Sequence, residues 1–158
     1  MNWQIKELET RSILSFSDAH SGPKLGREAT VFVPNTKREP QSANRKFSYN
    51  DIVEAIKQKP EAKLQIGFTI EFFPEEGKYH WSGHRDCGTR YSPKEVAEKG
   101  MLCPVCHRKL TIGVENRVLD LAHKKPDDQP LHLTKNSAGA TFVYDRDKKR
   151  VPFVSLIP

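Results

Sequence analysis

Apolar positions recur along the chain in short stretches of differing period, and each stretch predicts an element. Trp3, Ile5 and Leu8 mark a helix over Asn2 to Glu9, and Ile13 to Phe16 is a strand-like run. A polar loop from Ser17 to Glu28 leads to a second strand at Val31–Val33. Pro34 to Lys46 holds two prolines and no period, and reads as loop. Tyr49, Ile52, Val53 and Ile56 then fall at helical spacing behind Ser48, a capping residue, with Asp51 in the first turn and Pro60 as the stop. Leu64 to Phe72 alternates apolar and other residues for most of its length and predicts a strand. Pro74 to Gly77 is a turn, with Lys78 to Trp81 as the expected hairpin partner. Ser92-Pro93-Lys94-Glu95 is a capping box with proline at the first helical position, and Gly100 ends that helix. Leu110 to Ile112 reads as a strand; Val114, Val118, Leu121 and Ala122 mark one more helix face. Beyond Lys124 come four prolines and the charge run Asp145 to Arg150, and only Ala140 to Tyr144 and Phe153 to Ile157 look orderable.

The resulting fold class is α+β. Composition narrows it further. At 158 residues with 36% apolar and 29% charged side chains, the chain has a lean core. The net charge of +6 fits an anionic partner such as nucleic acid. No apolar run approaches the ~20 residues of a membrane helix, and the N-terminus lacks a signal-peptide apolar core, so a cytoplasmic protein without membrane association is expected. The absence of a Gly-rich loop ending in Gly-Lys-Ser/Thr argues against an ATPase or helicase.

Three cysteines cannot all pair within one chain, and their spacing points to metal. His84-x-x-Cys87 and Cys103-x-x-Cys106 form two pairs with fifteen residues between. Zinc takes four N or S donors in a tetrahedron, and a two-residue gap lets one tight turn supply two. Buried free thiols or a redox Cys-x-x-Cys are the alternatives, the latter requiring a thioredoxin-like setting that is not visible. His80 and His107 compete for the fourth position, and His84 wins on spacing. A second pattern, Asp18-x-His20 past the run Ile13 to Phe16, suits metal ligands at a strand end, or simply a capped loop with a surface histidine.

SFSDAHS, LGREATVF, TIEFFPEEGKYHWSGHRDC and CPVCHRKLTIGVENRV together resemble the endonuclease Q family. These are polymerase-and-histidinol-phosphatase (PHP) domain nucleases that nick DNA on the 5′ side of deaminated bases and abasic sites. The resemblance runs from about Asn2 to Ala122 and again weakly at VPFVSLIP. It implies that residues 1–73 are the C-terminal segment of a PHP-like barrel and 74–122 a zinc-binding module, and the prolines and charge run make 123–158 a weakly ordered tail. It implies further that Asp18 and His20 are catalytic metal ligands (for Mg, Mn or Zn), and that His84, Cys87, Cys103 and Cys106 hold structural Zn. The family's other ligands begin with a His-x-His upstream of this motif, and no histidine precedes His20. The expectation is therefore a fragment whose catalytic site is incomplete, with another chain as one source of the rest of the barrel.

Between Lys78 and Lys109 seven cations stand against three carboxylates, a net of +4, beside Tyr79, Trp81 and Tyr91. Cations satisfy phosphates and aromatic faces stack on unpaired bases, which makes Lys78, Tyr79, Trp81 and Arg85 candidate DNA contacts. Arg27 is another. The competing account places the aromatics in the module's core and the cations in solvent. Two further function classes stay open: a standalone zinc module that binds nucleic acid without catalysis, and a structural zinc domain that contacts protein.

Overall fold

In chain order the elements of this computed structural model are β1 (Ala29–Pro34), α1 (Tyr49–Ile56), β2 (Leu64–Phe72), β3 (Ser82–His84), β4 (Thr89–Tyr91), α2 (Pro93–Lys99), α3 (Val114–Leu121), β5 (His132–Lys135), β6 (Thr141–Tyr144) and β7 (Phe153–Leu156). The described residues are 2–36, 46–72, 74–123, 131–145 and 151–156. The chain divides into a sheet unit, Thr10–Phe72 with Pro130–Pro158, and a second unit, Met1–Glu9 with Phe73–Gln129.

The sheet unit is mixed, with strand order β1-β2-β7-β6-β5. β1 and β2 run antiparallel from Ala29↔Ile70 to Pro34↔Leu64, with an irregularity between Val31 and Phe32 that leaves Gly67 as the extra residue of β2. A Cβ at Gly67 would lie 2.7 Å from Val33 Cγ1, so glycine is what fits the bulge. β2 and β7 are parallel, Thr69↔Phe153 to Phe72↔Leu156, and the two remaining pairs are antiparallel. α1 packs on β2. Ser48 and Asp51 close a reciprocal capping box that satisfies the first backbone donors of α1. Ala55, Ala62, Leu64, Val143 and Val154 are buried, and Phe68 meets the edge of Phe142 at 5.0 Å.

Several sequence expectations are corrected. Asn2 to Glu9 forms two short 3-10 turns, Asn2–Gln4 and Lys6–Leu8, with Ile5 extended between them; Ile5 heads the second turn and its side chain has no acceptor to cap it. Ile13 to Phe16 joins no strand, because Thr30 substitutes a side chain for a ladder: its Oγ1 accepts from the Ser15 N–H and donates to the Ser15 carbonyl. The hairpin forms between β3 and β4 rather than through Lys78 to Trp81. Leu110 to Ile112 forms only an isolated bridge, Gly83↔Thr111, with Leu102↔Lys109 beside it. In the stretch 123–158 the two runs read as orderable hold β6 and β7, with Ile157 outside the described residues, and β5 was not expected. Most of the Pro34 to Lys46 loop and all but Asp145 of the charge run lie outside the described residues.

Candidate metal centre and adjoining groove

Two hairpin tips carry the candidate donors. β3 ends at His84, a 3-10 turn over Arg85–Cys87 follows, and Gly88 turns into β4 with φ +64. In the second tip Cys103 and Cys106 are held by Cys103 N–H to the Arg108 carbonyl and His107 N–H to the Cys103 carbonyl, both 2.8 Å. His107 follows with φ +58. Each pair is thus closed by a left-handed residue directly after its second donor, glycine in one and histidine in the other. Gly83 and Thr111 exchange two backbone hydrogen bonds, 2.9 and 2.8 Å, tying the tips together.

The donor atoms of His84, Cys87, Cys103 and Cys106 all lie within 4.8 Å of one another. His84 Nδ1 is 3.3 Å from Cys106 Sγ. A tetrahedral zinc with Zn–S near 2.3 Å places its sulfurs about 3.8 Å apart, so the set fits the ion in chemistry and spacing. Cys103 is fully buried. Burial works against its thiolate, but the Thr89 hydroxyl and the backbone N–H groups of Cys106 and Val105 hold it down to about 5. Burial pushes Cys87 up to about 11, with the neighbouring Cys106 and Cys103 adding to the shift. Three sulfurs so close cannot all ionise without a cation between them, and a divalent ion supplies it. Arg108 bonds to Cys106, which raises the Arg108 pKa and gives the sulfur a charged outer partner.

His80 does not join the cluster. It is buried, its Nε2 is 3.6 Å from Glu115 Oε2, and its ring meets Trp81 edge-on at 4.6 Å. His107 is exposed. Asp18 and His20 are exposed residues of the sheet unit, and Asp18 has φ +45. The His20 Nδ1–H donates to the Asp18 carbonyl at 2.8 Å, which fixes the ring's orientation. Among the described residues no third His, Cys, Asp or Glu joins them in a metal-sized group. Two donors alone do not make a site for a catalytic ion.

Beside the Cys/His cluster lies a groove of about 870 Å³ whose walls include Lys78, Tyr79, Trp81, His84, Arg85 and Arg90. Four of the five residues expected to contact DNA therefore converge. The fifth, Arg27, belongs to the sheet unit and lies over the Phe72 ring at 5.4 Å. Arg90 and Thr89 were missed as individuals; the period-2 alternation of a three-residue strand is too short to show which way they face.

Structurally, then, the chain is of mixed α+β class with a Cys3His cluster of zinc-binding type in its second unit. No protein-family model matches the chain. It is similar to part of endonuclease Q. The crystal structure of the lesion-specific endonuclease from Pyrococcus furiosus matches with 30% identity and a TM-score of 0.57, over 77% of this chain and 28% of that one. Endonuclease Q in complex with a 27-mer duplex bearing an abasic lesion at the active site matches with 30% identity and a TM-score of 0.59, over 83% and 32%. An uncharacterised protein of Methanocaldococcus jannaschii is 30% identical over 123 residues, which is 77% of this chain and 14% of that protein. The chain thus spans less than a third of each protein it matches. Among the described residues no helix is long and apolar enough to cross a membrane.

Proposed function

We propose that this chain is part of an endonuclease Q-like enzyme of PHP type, in which residues 74–122 form a zinc-stabilised DNA-binding module and 1–73 a barrel segment. The assembled enzyme nicks DNA 5′ of deaminated bases or abasic sites. The observation that carries this is a zinc-compatible Cys3His cluster beside a groove walled by cations and aromatics, in a chain 30% identical over 77% of its length to part of a lesion-specific endonuclease. His84, Cys87, Cys103 and Cys106 hold the zinc, which closes the two hairpin tips and does no chemistry. Lys78, Tyr79, Trp81, Arg85 and Arg27 contact DNA. Asp18 and His20 contribute two ligands to a catalytic Mg, Mn or Zn, the remaining ligands coming from elsewhere. Support for His20 is its Nδ1–H bond to a carbonyl, the arrangement that fixes metal-binding imidazoles. Three metal-bound thiolates suit a reducing, cytoplasmic setting.

The test uses an end-labelled duplex with one abasic site, with manganese present. The chain alone should bind without nicking, and should nick when mixed with a polypeptide carrying the rest of the barrel. Asp18→Ala should abolish the nick and leave binding intact; nicking unaffected by Asp18→Ala overturns the ligand assignment. A standalone nucleic-acid-binding module is the second reading, favoured by the exposure of Asp18 and His20 without a third donor among the described residues. Salt-dependent binding with no nicking in any mixture identifies it.

A further inference from the structure

Tyr79 and Trp81 line the same groove but are held differently. Trp81 is half-buried against the His80 ring, whereas the Tyr79 side chain stands 65% exposed. The Tyr79 backbone is nevertheless fixed: its carbonyl accepts from the Val114 N–H at 2.8 Å, and the His80 carbonyl accepts from the Glu115 N–H at 3.2 Å. Val114 itself is set by the preceding Gly113, whose N–H donates to the buried Ser82 hydroxyl at 2.9 Å. An added Cβ at Gly113 would run into the backbone of Trp81 and Ser82, so α3 can begin this close to the groove only at a glycine. The Arg85 guanidinium sits 5.9 Å from the Tyr79 ring centroid, on the outer limit of a cation–π contact. The result is an exposed aromatic face on a rigid mount, beside Lys78, Arg85 and Arg90, with Glu75 as the only carboxylate among the described residues that line the groove.

We infer that this groove takes an unpaired nucleotide, its base stacked on Tyr79 and its phosphate held by Arg90. This deepens the DNA-binding role proposed above and rests on it. Size is compatible with a nucleotide: about 870 Å³ falls in the range of small-molecule clefts. Charge favours the phosphate, since among the described lining residues three cations stand against one carboxylate. A platform whose backbone is already fixed loses little freedom on stacking.

The experiment uses the zinc-loaded chain and a labelled 12-nucleotide single strand containing 2-aminopurine, compared with the same sequence as a blunt duplex. Binding is read by anisotropy across a salt series and stacking by 2-aminopurine quenching. Single strand should bind more tightly than duplex. Tyr79→Ala should weaken single-strand binding about 5- to 150-fold, the effect of losing one base–aromatic stack, and abolish the quench. Tyr79→Phe, which keeps the ring, should retain both. Arg90→Ala should lower the salt slope by about 0.7. If neither variant changes single-strand affinity while salt-dependent binding persists, the groove assignment falls and the DNA-binding role survives. If Tyr79→Ala weakens duplex and single strand equally, the preference for an unpaired base falls. If the folded, zinc-loaded chain binds neither DNA at low salt, both fall.

Discussion

Replacing Cys103 by serine separates the metal from the fold around it. Cys103 is the most enclosed of the four donors, and its sulfur already accepts hydrogen bonds from the Thr89 hydroxyl and two backbone N–H groups. Serine nearly keeps the size and can keep those bonds, but it offers zinc a hydroxyl that stays protonated at neutral pH. Structural zinc sites contribute about 10–16 kcal/mol of apparent binding free energy, so one of four donors accounts for about 2.5–4 kcal/mol. That is about 10²–10³-fold in affinity. The unit has little to set against the loss. Leu110 and Val118 are its buried aliphatics among the described residues, at about 2 kcal/mol each. Leu102, Val105 and Ile112, by contrast, are 58%, 66% and 56% exposed. Both tryptophans, Trp3 and Trp81, lie in this unit, so tryptophan emission reports it selectively. In chelator competition the Cys103→Ser chain should release zinc at correspondingly lower chelator concentration, and its tryptophan melt should shift down. The β-sheet circular dichroism of the other unit, whose buried Leu64, Val143 and Val154 are its own, should persist. Zinc affinity and a tryptophan melt indistinguishable from wild type would refute the metal role of Cys103.

Arg108→Ala removes the charged partner of Cys106 and should weaken zinc binding about 10- to 100-fold in the same competition; unchanged affinity counts against that contact. Ser82→Ala leaves the Gly113 N–H and the Asn116 carbonyl oxygen without their shared hydroxyl, at a cost of about 1–3 kcal/mol in urea unfolding followed at tryptophan. Asp51 gives a pH prediction in the sheet unit. The backbone N–H and hydroxyl of Ser48 hold its carboxyl below the ordinary 3.8. A carboxyl depressed in the folded chain stabilises above 3.8, and that contribution is lost as pH falls through the folded value. The melting-temperature deficit of Asp51→Asn should therefore be full near neutral pH and shrink below 3.8; a pH-independent deficit is the contrary result.

What could be read from sequence was local. Both capping boxes, Ser48 with Asp51 and Ser92 with Glu95, announce their helices in four residues because the bonds that cap them close within one turn. β2 is long enough for alternation to show. The four-donor spacing carries the cluster for the same reason: two residues between donors is a turn geometry. What was not legible depends on distant chain. β7 shows as an orderable run, but its parallel partner β2 lies more than eighty residues away, and β5 is exposed at all four positions and leaves no apolar pattern. Ile13 to Phe16 looks like a strand on period alone, yet Thr30 meets its backbone with a hydroxyl. Nor does sequence distinguish Tyr79 from Trp81, two aromatics two residues apart. Only the packing of His80 against one of them does so.

The placement of Thr89 joins the cluster to the groove. Its hydroxyl is 3.3 Å from Cys103 Sγ, and the same residue lines the groove next to Arg90. His84 likewise offers a donor to the cluster while forming part of the groove wall. β3 and β4 are three residues each, too short to hold a hairpin without help, and a Cβ at Gly83 would meet the Thr89 carbonyl, so the pair must close tightly. A zinc at the cluster supplies that closure from the tip, while Ser82 and Gly113 supply it from the base through α3. On the proposed assignments zinc and nucleotide both hold this one hairpin, so coupling between them is reciprocal: each changes the other's affinity by the same factor.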